Sequence, residues 1–282
     1  MKFYNITAFK KIYLFIILIP FISSCSTNNI SKEYTLNNVS DNVSVHDDNF
    51  QSINIAIERQ PLNPKLYNVR GIEYAKIRLY DQSIKDFKKA IQLDPDYYQA
   101  IYNVGQSNLK MGDKEKAIDN FNKCLEIEPN YSKAYLSRGI YYKENQSYQK
   151  ALEDFNNAIK HDKNSSYAYL NRGLLYQLLK KQNNAIQDFD KSIALKRNNY
   201  ISLYSRALSY IVLTRYNSAI DDLNQVIYSK PNFLNALFAR AKTYEYLEEY
   251  NLAIKDYNEI ISIDKNNKHA KKSISFIKRK KL

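Results

Sequence analysis

The chain has 282 residues, 44% of them hydrophobic, and carries 42 Lys and Arg against 29 Asp and Glu for a net charge of +13. Length and apolar content suffice for a folded core, and the two cysteines, Cys25 and Cys124, exclude a disulfide framework. The basic excess is a property of the tail rather than of the body, because residues 262–282 hold eight Lys and Arg against the single acid Asp264.

Residues 1–25 combine a basic start (Lys2, Lys10, Lys11), an apolar run from Ile12 to Ile22 interrupted by Pro20, and then Ser23, Ser24 and Cys25. The run is too short to span a bilayer comfortably and reads as an export signal, residues 1–24, that is removed. The sequence Ile22-Ser23-Ser24-Cys25 resembles the lipobox of bacterial lipoproteins. That resemblance implies acylation of Cys25 and anchoring to a membrane through several chains, at ~0.8 kcal/mol per buried methylene. Ser26, where an aspartate would retain many enterobacterial lipoproteins at the inner membrane, implies an outer-membrane anchor facing the periplasm in a two-membrane cell. An ordinary secretory signal cut elsewhere would leave Cys25 incidental. From residue 25 to 46 the chain is polar, rich in Asn, Ser and Asp and without apolar periodicity, as a flexible tether is.

Ile53, Ala56 and Pro61 fall on columns that recur downstream, so 47–63 is expected to be a lone second helix capping a stack. The columns then repeat every 34 residues with no insertion: Gly71, Gly105, Gly139, Gly173, Ala207 and Ala241. Sixteen residues after each stands Phe87, Phe121, Phe155, Phe189, Leu223 or Tyr257, and a small residue (Ser83, Ala117, Ala151, Ala185, Ala219, Ala253) lies between. Tyr74, Tyr142, Tyr176, Tyr210 and Tyr244 stand three residues after the glycine or alanine of the first column, with Asn108 in the second period. Each period reads as two helices of about 12 to 14 residues, too short to bury an apolar face alone, so neighbours must stack.

These columns resemble the tetratricopeptide repeat. The resemblance implies an all-α fold, an α-solenoid of six helix-turn-helix repeats at 64–97, 98–131, 132–165, 166–199, 200–233 and 234–267, with the glycine where the two helices of a unit come closest. Second helices end near Pro95, Pro129 and Pro231; where Lys163, Arg197 or Lys265 stands instead, Asn164, Asn198 and Asn266 are expected to turn the chain. Residues 268–282, with Ala270, Ile274 and Ile277 at helical spacing among lysines, are expected to form a basic capping helix.

An arginine immediately precedes the glycine or alanine of the first column and an aspartate immediately precedes the ring column in five periods: Arg70 and Asp86, Arg138 and Asp154, Arg172 and Asp188, Arg206 and Asp222, Arg240 and Asp256. The second period has Val104 and Asn120 instead. In an antiparallel helix pair these positions lie at equal height, so five ion pairs are expected that fix register more than they add stability. An arginine column that binds an anionic ligand is the alternative.

In the resembled family the first helices line the concave face. Its positions are polar in the early units (Lys65, Asn68, Gln99, Asn103, Gln106) and apolar in the later ones: Tyr167, Leu170, Leu174, Leu178, Ile201, Tyr204, Leu208, Ile211, Val212, Phe238 and Tyr246. An exposed apolar strip of this kind is the expected groove for a protein or peptide segment; packing between successive units and dimerisation are the other readings, and the sequence leaves the oligomeric state open. The family's carboxylate clamp is not expected, because Asn68, Ile72 and Ser137 break its pattern.

No metal or cofactor is expected. His46, His161 and His269 are isolated, and no phosphate loop, nucleophile elbow or catalytic triad is visible, which argues against an enzyme. Export argues against nucleic acid as a partner of the basic tail, Lys278 to Lys281, which is either a solvated helix end or a contact for anionic lipid or wall polymer. The sequence therefore points to a lipid-anchored scaffold of the bacterial envelope that recruits or assembles other proteins, in the manner of pilotins or adaptors of peptidoglycan hydrolases. A surface-exposed lipoprotein that binds host or environmental ligands is the alternative.

Overall fold

The computed structural model describes residues 43–197 and 199–280, with side chains from residue 50 onward. The leader, Cys25, most of the expected tether, Asn198 and Lys281 lie outside the described residues. Fourteen helices and no strand occupy them, and none of the helices is long and apolar enough to cross a membrane.

Helix α1 (Val43–Arg59) leads. Six helix pairs follow: α2 (Pro64–Lys76) with α3 (Tyr80–Leu93), α4 (Tyr98–Met111) with α5 (Lys114–Ile127), and α6 (Ser132–Glu144) with α7 (Tyr148–His161). The second three are α8 (Ser166–Leu178) with α9 (Gln182–Leu195), α10 (Tyr200–Val212) with α11 (Tyr216–Ser229), and α12 (Leu234–Tyr246) with α13 (Tyr250–Ile263). Helix α14 (Lys268–Lys280) closes the stack. Helix α1 starts at Val43, so residues 43–46, expected in the tether, are helical. Extending a packed helix backwards by a turn costs far less than nucleating one.

Within each pair the helices make their most extensive contacts, and each second helix then packs on the first helix of the next unit. The seam inside a unit is built by the ring column. A Cβ added at Gly173 would lie 2.6 Å from Phe189 Cε1, and at Gly71 2.5 Å from the corresponding atom of Phe87, so only glycine admits a phenylalanine there without separating the helices. In the last two units the glycine is Ala207 or Ala241 and the ring position is Leu223 or Tyr257, all fully buried. Cys124 also lies in the core, and burial pushes its thiol up to about 12, far from nucleophilic.

The chain turns in the left-handed region once per unit, between the two helices: Arg78, Gly112, Gln146, Lys180, Thr214 and Glu248 all have positive φ. There the N–H of the residue after each left-handed one reaches back five residues, as Leu79 N to Tyr74 O at 2.9 Å and Lys181 N to Tyr176 O at 2.8 Å, which satisfies an orphan carbonyl. Asn164 and Asn266 stand in the turns that follow their second helices, as expected, but without positive φ. These two helices end on an extended acidic residue whose carboxylate accepts the N–H two residues on: Asp162 from Asn164 at 3.0 Å, Asp264 from Asn266 at 3.1 Å.

Candidate functional site

The arginine column sits on the edge of each seam. Arg172 donates from Nε and Nη2 to the two oxygens of Asp188 at 2.8 and 2.7 Å, and Arg70, Arg138, Arg206 and Arg240 engage Asp86, Asp154, Asp222 and Asp256 in the same forked geometry. The third donor reaches backwards. Nη1 of Arg70, Arg138, Arg172, Arg206 and Arg240 bonds Asn54, Asn122, Asn156, Asp190 and Asn224, each on the second helix of the preceding unit or on α1. Each arginine thus ties three helices; in the second unit, where Val104 replaces the arginine, the partner column holds Lys88 in place of an amide or acid. Sequence reasoning missed that Asn column, although its period of 34 residues is legible once the partner is known.

Hydrogen bonding to the aspartates raises the pKa of Arg138, Arg172 and Arg206, while burial raises the carboxyls of Asp154, Asp188 and Asp222 against the pull of the guanidinium. Desolvation of that size offsets much of the attraction, so the forks set helix register more than they add stability. Arg172 also lies between the rings of Tyr169 and Tyr176, 5.8 Å from each centroid. With all three nitrogens of each arginine engaged, little of this column is left for an anionic ligand.

First helices of neighbouring units touch one another (α2 with α4, α6 with α8, α8 with α10, α10 with α12), whereas second helices do not approach each other to that extent. The first helices therefore line the inner curve. A polar ladder runs along it from unit one to unit five: Asn103 Nδ2 donates to Asn68 Oδ1 at 2.9 Å, Gln106 Nε2 to Ser137 Oγ at 2.6 Å, Lys143 Nζ to Asn171 Oδ1 at 3.0 Å, and Gln177 Nε2 to Ser209 Oγ at 2.8 Å. Lys143 is only 5% exposed, and burial lowers its ammonium pKa to about 8.

Four residues expected in the exposed strip are core instead. Leu170, Ile201, Tyr204 and Ile211 are almost wholly buried: Leu170 and Ile201 pack with Ala185 and Phe189, and Tyr204 meets Phe233 edge-on at 5.2 Å. The curvature of the stack presses their positions into the junction between successive units. Tyr167 and Leu178 remain exposed at 39% and 40%, while Leu174, Leu208, Val212, Phe238 and Tyr246 are half-buried. Tyr167 lies under Lys196, 5.3 Å from the ring centroid, and Tyr246 stacks on Tyr216 at 5.5 Å.

Among the described residues no three His, Cys, Asp or Glu side chains come together as a metal set. His161 stacks on Tyr135 at 5.8 Å, and His269 is exposed. The side chain of His46 lies outside the described part.

Stacked helix pairs with a shared inner face define an α-solenoid of the kind used for protein–protein interaction. Family models described as tetratricopeptide repeat match residues 64–97 and 98–131, residues 120–153, and residues 166–199 and 234–267. Between them these matches span more than half of the chain, and the chain belongs to the tetratricopeptide repeat family. The match at 120–153 straddles a unit boundary, taking most of α5 with α6.

Solved structures share the fold at low identity. The pilF protein of Pseudomonas aeruginosa superposes with a TM-score of 0.67 at 17% identity, over 77% of this chain and 97% of that one. The Cut9–Hcn1 hetero-tetramer of the APC/C gives 0.65 at 19% identity over 82% of this chain, which spans only 46% of that one. YrrB, titled a TPR protein with an unusual peptide-binding site, gives 0.59 at 19% identity over 70% and 98%. No curated protein matches in sequence.

Proposed function

We propose that this protein is a lipid-anchored scaffold of the bacterial cell envelope that holds a segment of another protein along the inner face of units four to six. The supporting observation is the change in that face along the stack. The polar ladder joins units one to five, and from unit four onward Leu174, Leu178, Leu208, Val212, Phe238 and Tyr246 stand beside it and leave apolar surface partly open. A short helix or extended segment would seat apolar anchors there. The anchor rests on the lipobox-like Cys25 and the tether behind it, so the groove would stand off from the membrane and gather or deliver its client there, in the way a pilotin or a hydrolase adaptor does.

The test is a photo-crosslinking residue placed at Leu178 in cells, with and without Leu174→Glu and Leu208→Glu. Adducts that vanish in a double variant of unchanged helicity and melting support the groove. An unchanged adduct pattern, or a variant that unfolds, refutes it. Cys25→Ser should abolish incorporation of a labelled fatty acid and release the protein from membranes. Loss of the protein on protease treatment of intact cells would favour the outward-facing alternative.

A further inference from the structure

We infer that the outer face of helix α14 is a docking surface for an anionic lipid bilayer. The helix is built asymmetrically. Ala270 and Ile277 are buried against α13, joining Leu237, Tyr257 and Ile260, with Ile274 packed beside them. At 3.6 residues per turn, Lys268, Lys272 and Arg279 fall on the side opposite that seam, with Lys271 and Lys278 on one flank. All five are exposed, no acidic residue occurs from 265 to 280, and none of the five enters an ion pair among the described residues. Asp264, the acid nearest in sequence, is taken up by the amides of Asn266 and Asn267.

One apolar side chain rises among these bases. Phe276 is 57% exposed, with Lys272 and Lys280 one turn away on either side of it along the helix. Lys280 is itself held over Tyr250, its Nζ 2.7 Å from the hydroxyl. A soluble helix end has use for cations in its last turn, but Lys268, Lys271 and Lys272 stand in the first turns, where the helix dipole disfavours them. Basic residues around a protruding ring suit a boundary that is negatively charged at its surface and hydrocarbon beneath. Among the described residues no helix other than α13 packs extensively on α14, and they supply no second wall of the kind that tracks a nucleic-acid strand. This inference does not depend on the groove.

The experiment is co-sedimentation of the full chain with vesicles of phosphatidylcholine alone or with about one third phosphatidylglycerol, in about 0.1 M salt. It compares wild type with Lys268→Glu/Lys272→Glu/Arg279→Glu and with Phe276→Ser. Residues 1–42 are the same in every protein, so their own membrane affinity cancels in the comparison. The wild type should favour the anionic vesicles, the triple variant should bind them about 100-fold more weakly, at roughly fivefold per base, and Phe276→Ser should weaken binding too. Equal partition of the wild type and the triple variant onto anionic vesicles overturns the inference. So does release by millimolar inorganic phosphate, or tighter binding to a polynucleotide than to vesicles through the same bases. Should the triple variant lose helicity, the wild type alone decides, because binding unchanged between about 0.1 and about 0.5 M salt refutes an electrostatic surface.

Discussion

Gly173→Ala tests the seam most directly. The new methyl carbon would sit 2.6 Å from Phe189 Cε1 and 2.9 Å from Cδ1, inside van der Waals contact with a ring that is itself fully buried. Overpacking of this kind costs about 1–3 kcal/mol, and removing glycine from a helix interior returns about 0.5–1 kcal/mol, so the net loss should be about 1–2 kcal/mol. Unit five supplies the compensating change, because Ala207 there faces Leu223 rather than a ring. Phe189→Leu alone leaves a void beside glycine and should destabilise by about 1 kcal/mol or more. The double variant should recover part of the summed loss, giving a coupling of about 1 kcal/mol or more in a double-mutant cycle. Unit six, where Ala241 faces Tyr257, sets a limit: a ring and an alanine can coexist if the helices part slightly, so the cost reflects how far α8 and α9 can yield. Urea unfolding followed by far-ultraviolet circular dichroism measures all four proteins, with a constant slope required for comparison. A Gly173→Ala midpoint equal to wild type, or additive single effects, would refute the close-approach argument.

The three-helix ties should respond unequally to the loss of either partner. Arg172→Leu strands the buried Asp188 carboxylate and should cost about 2–3 kcal/mol, whereas Asp188→Asn leaves an acceptor for a partly exposed guanidinium and should cost about 1 kcal/mol or less; chemical denaturation of both variants checks the order. Thr214 is a β-branched residue at φ 58°, and Thr214→Gly should raise the unfolding free energy by about 1 kcal/mol, read from the same curves. Lys143 has a folded pKa depressed by burial to about 8, so between about pH 8 and 10.5 the unfolded chain binds more protons and stability rises with pH. Lys143→Met should therefore be more stable than wild type at pH 7, with the gap closing toward pH 10; a gap independent of pH would contradict this.

Much of the fold is legible in the chain because the strongest contacts lie within a single period. Gly173 and Phe189 are sixteen residues apart in one helix pair, and so are Arg172 and Asp188, so the columns that encode the seam recur at constant spacing and announce their own pairing. The turn between helices was less readable, since five of its six left-handed positions carry residues other than glycine and only Gly112 gives a local signal. What lies between units was least readable. The third arm of each arginine, to Asn54, Asn122, Asn156, Asp190 or Asn224, joins columns whose side chains show no composition that would mark them as partners. The inner face divides in the same way. Sequence assigned Leu170, Leu174, Ile201, Tyr204, Leu208 and Ile211 to one strip, and the structure buries Leu170, Ile201, Tyr204 and Ile211 while leaving Leu174 and Leu208 partly open. Periodicity determines which side of a helix is apolar and which helix it pairs with. Only the rotation of each unit on the last, a small angle set by packing across the whole interface, decides how deeply that side is covered by its neighbour.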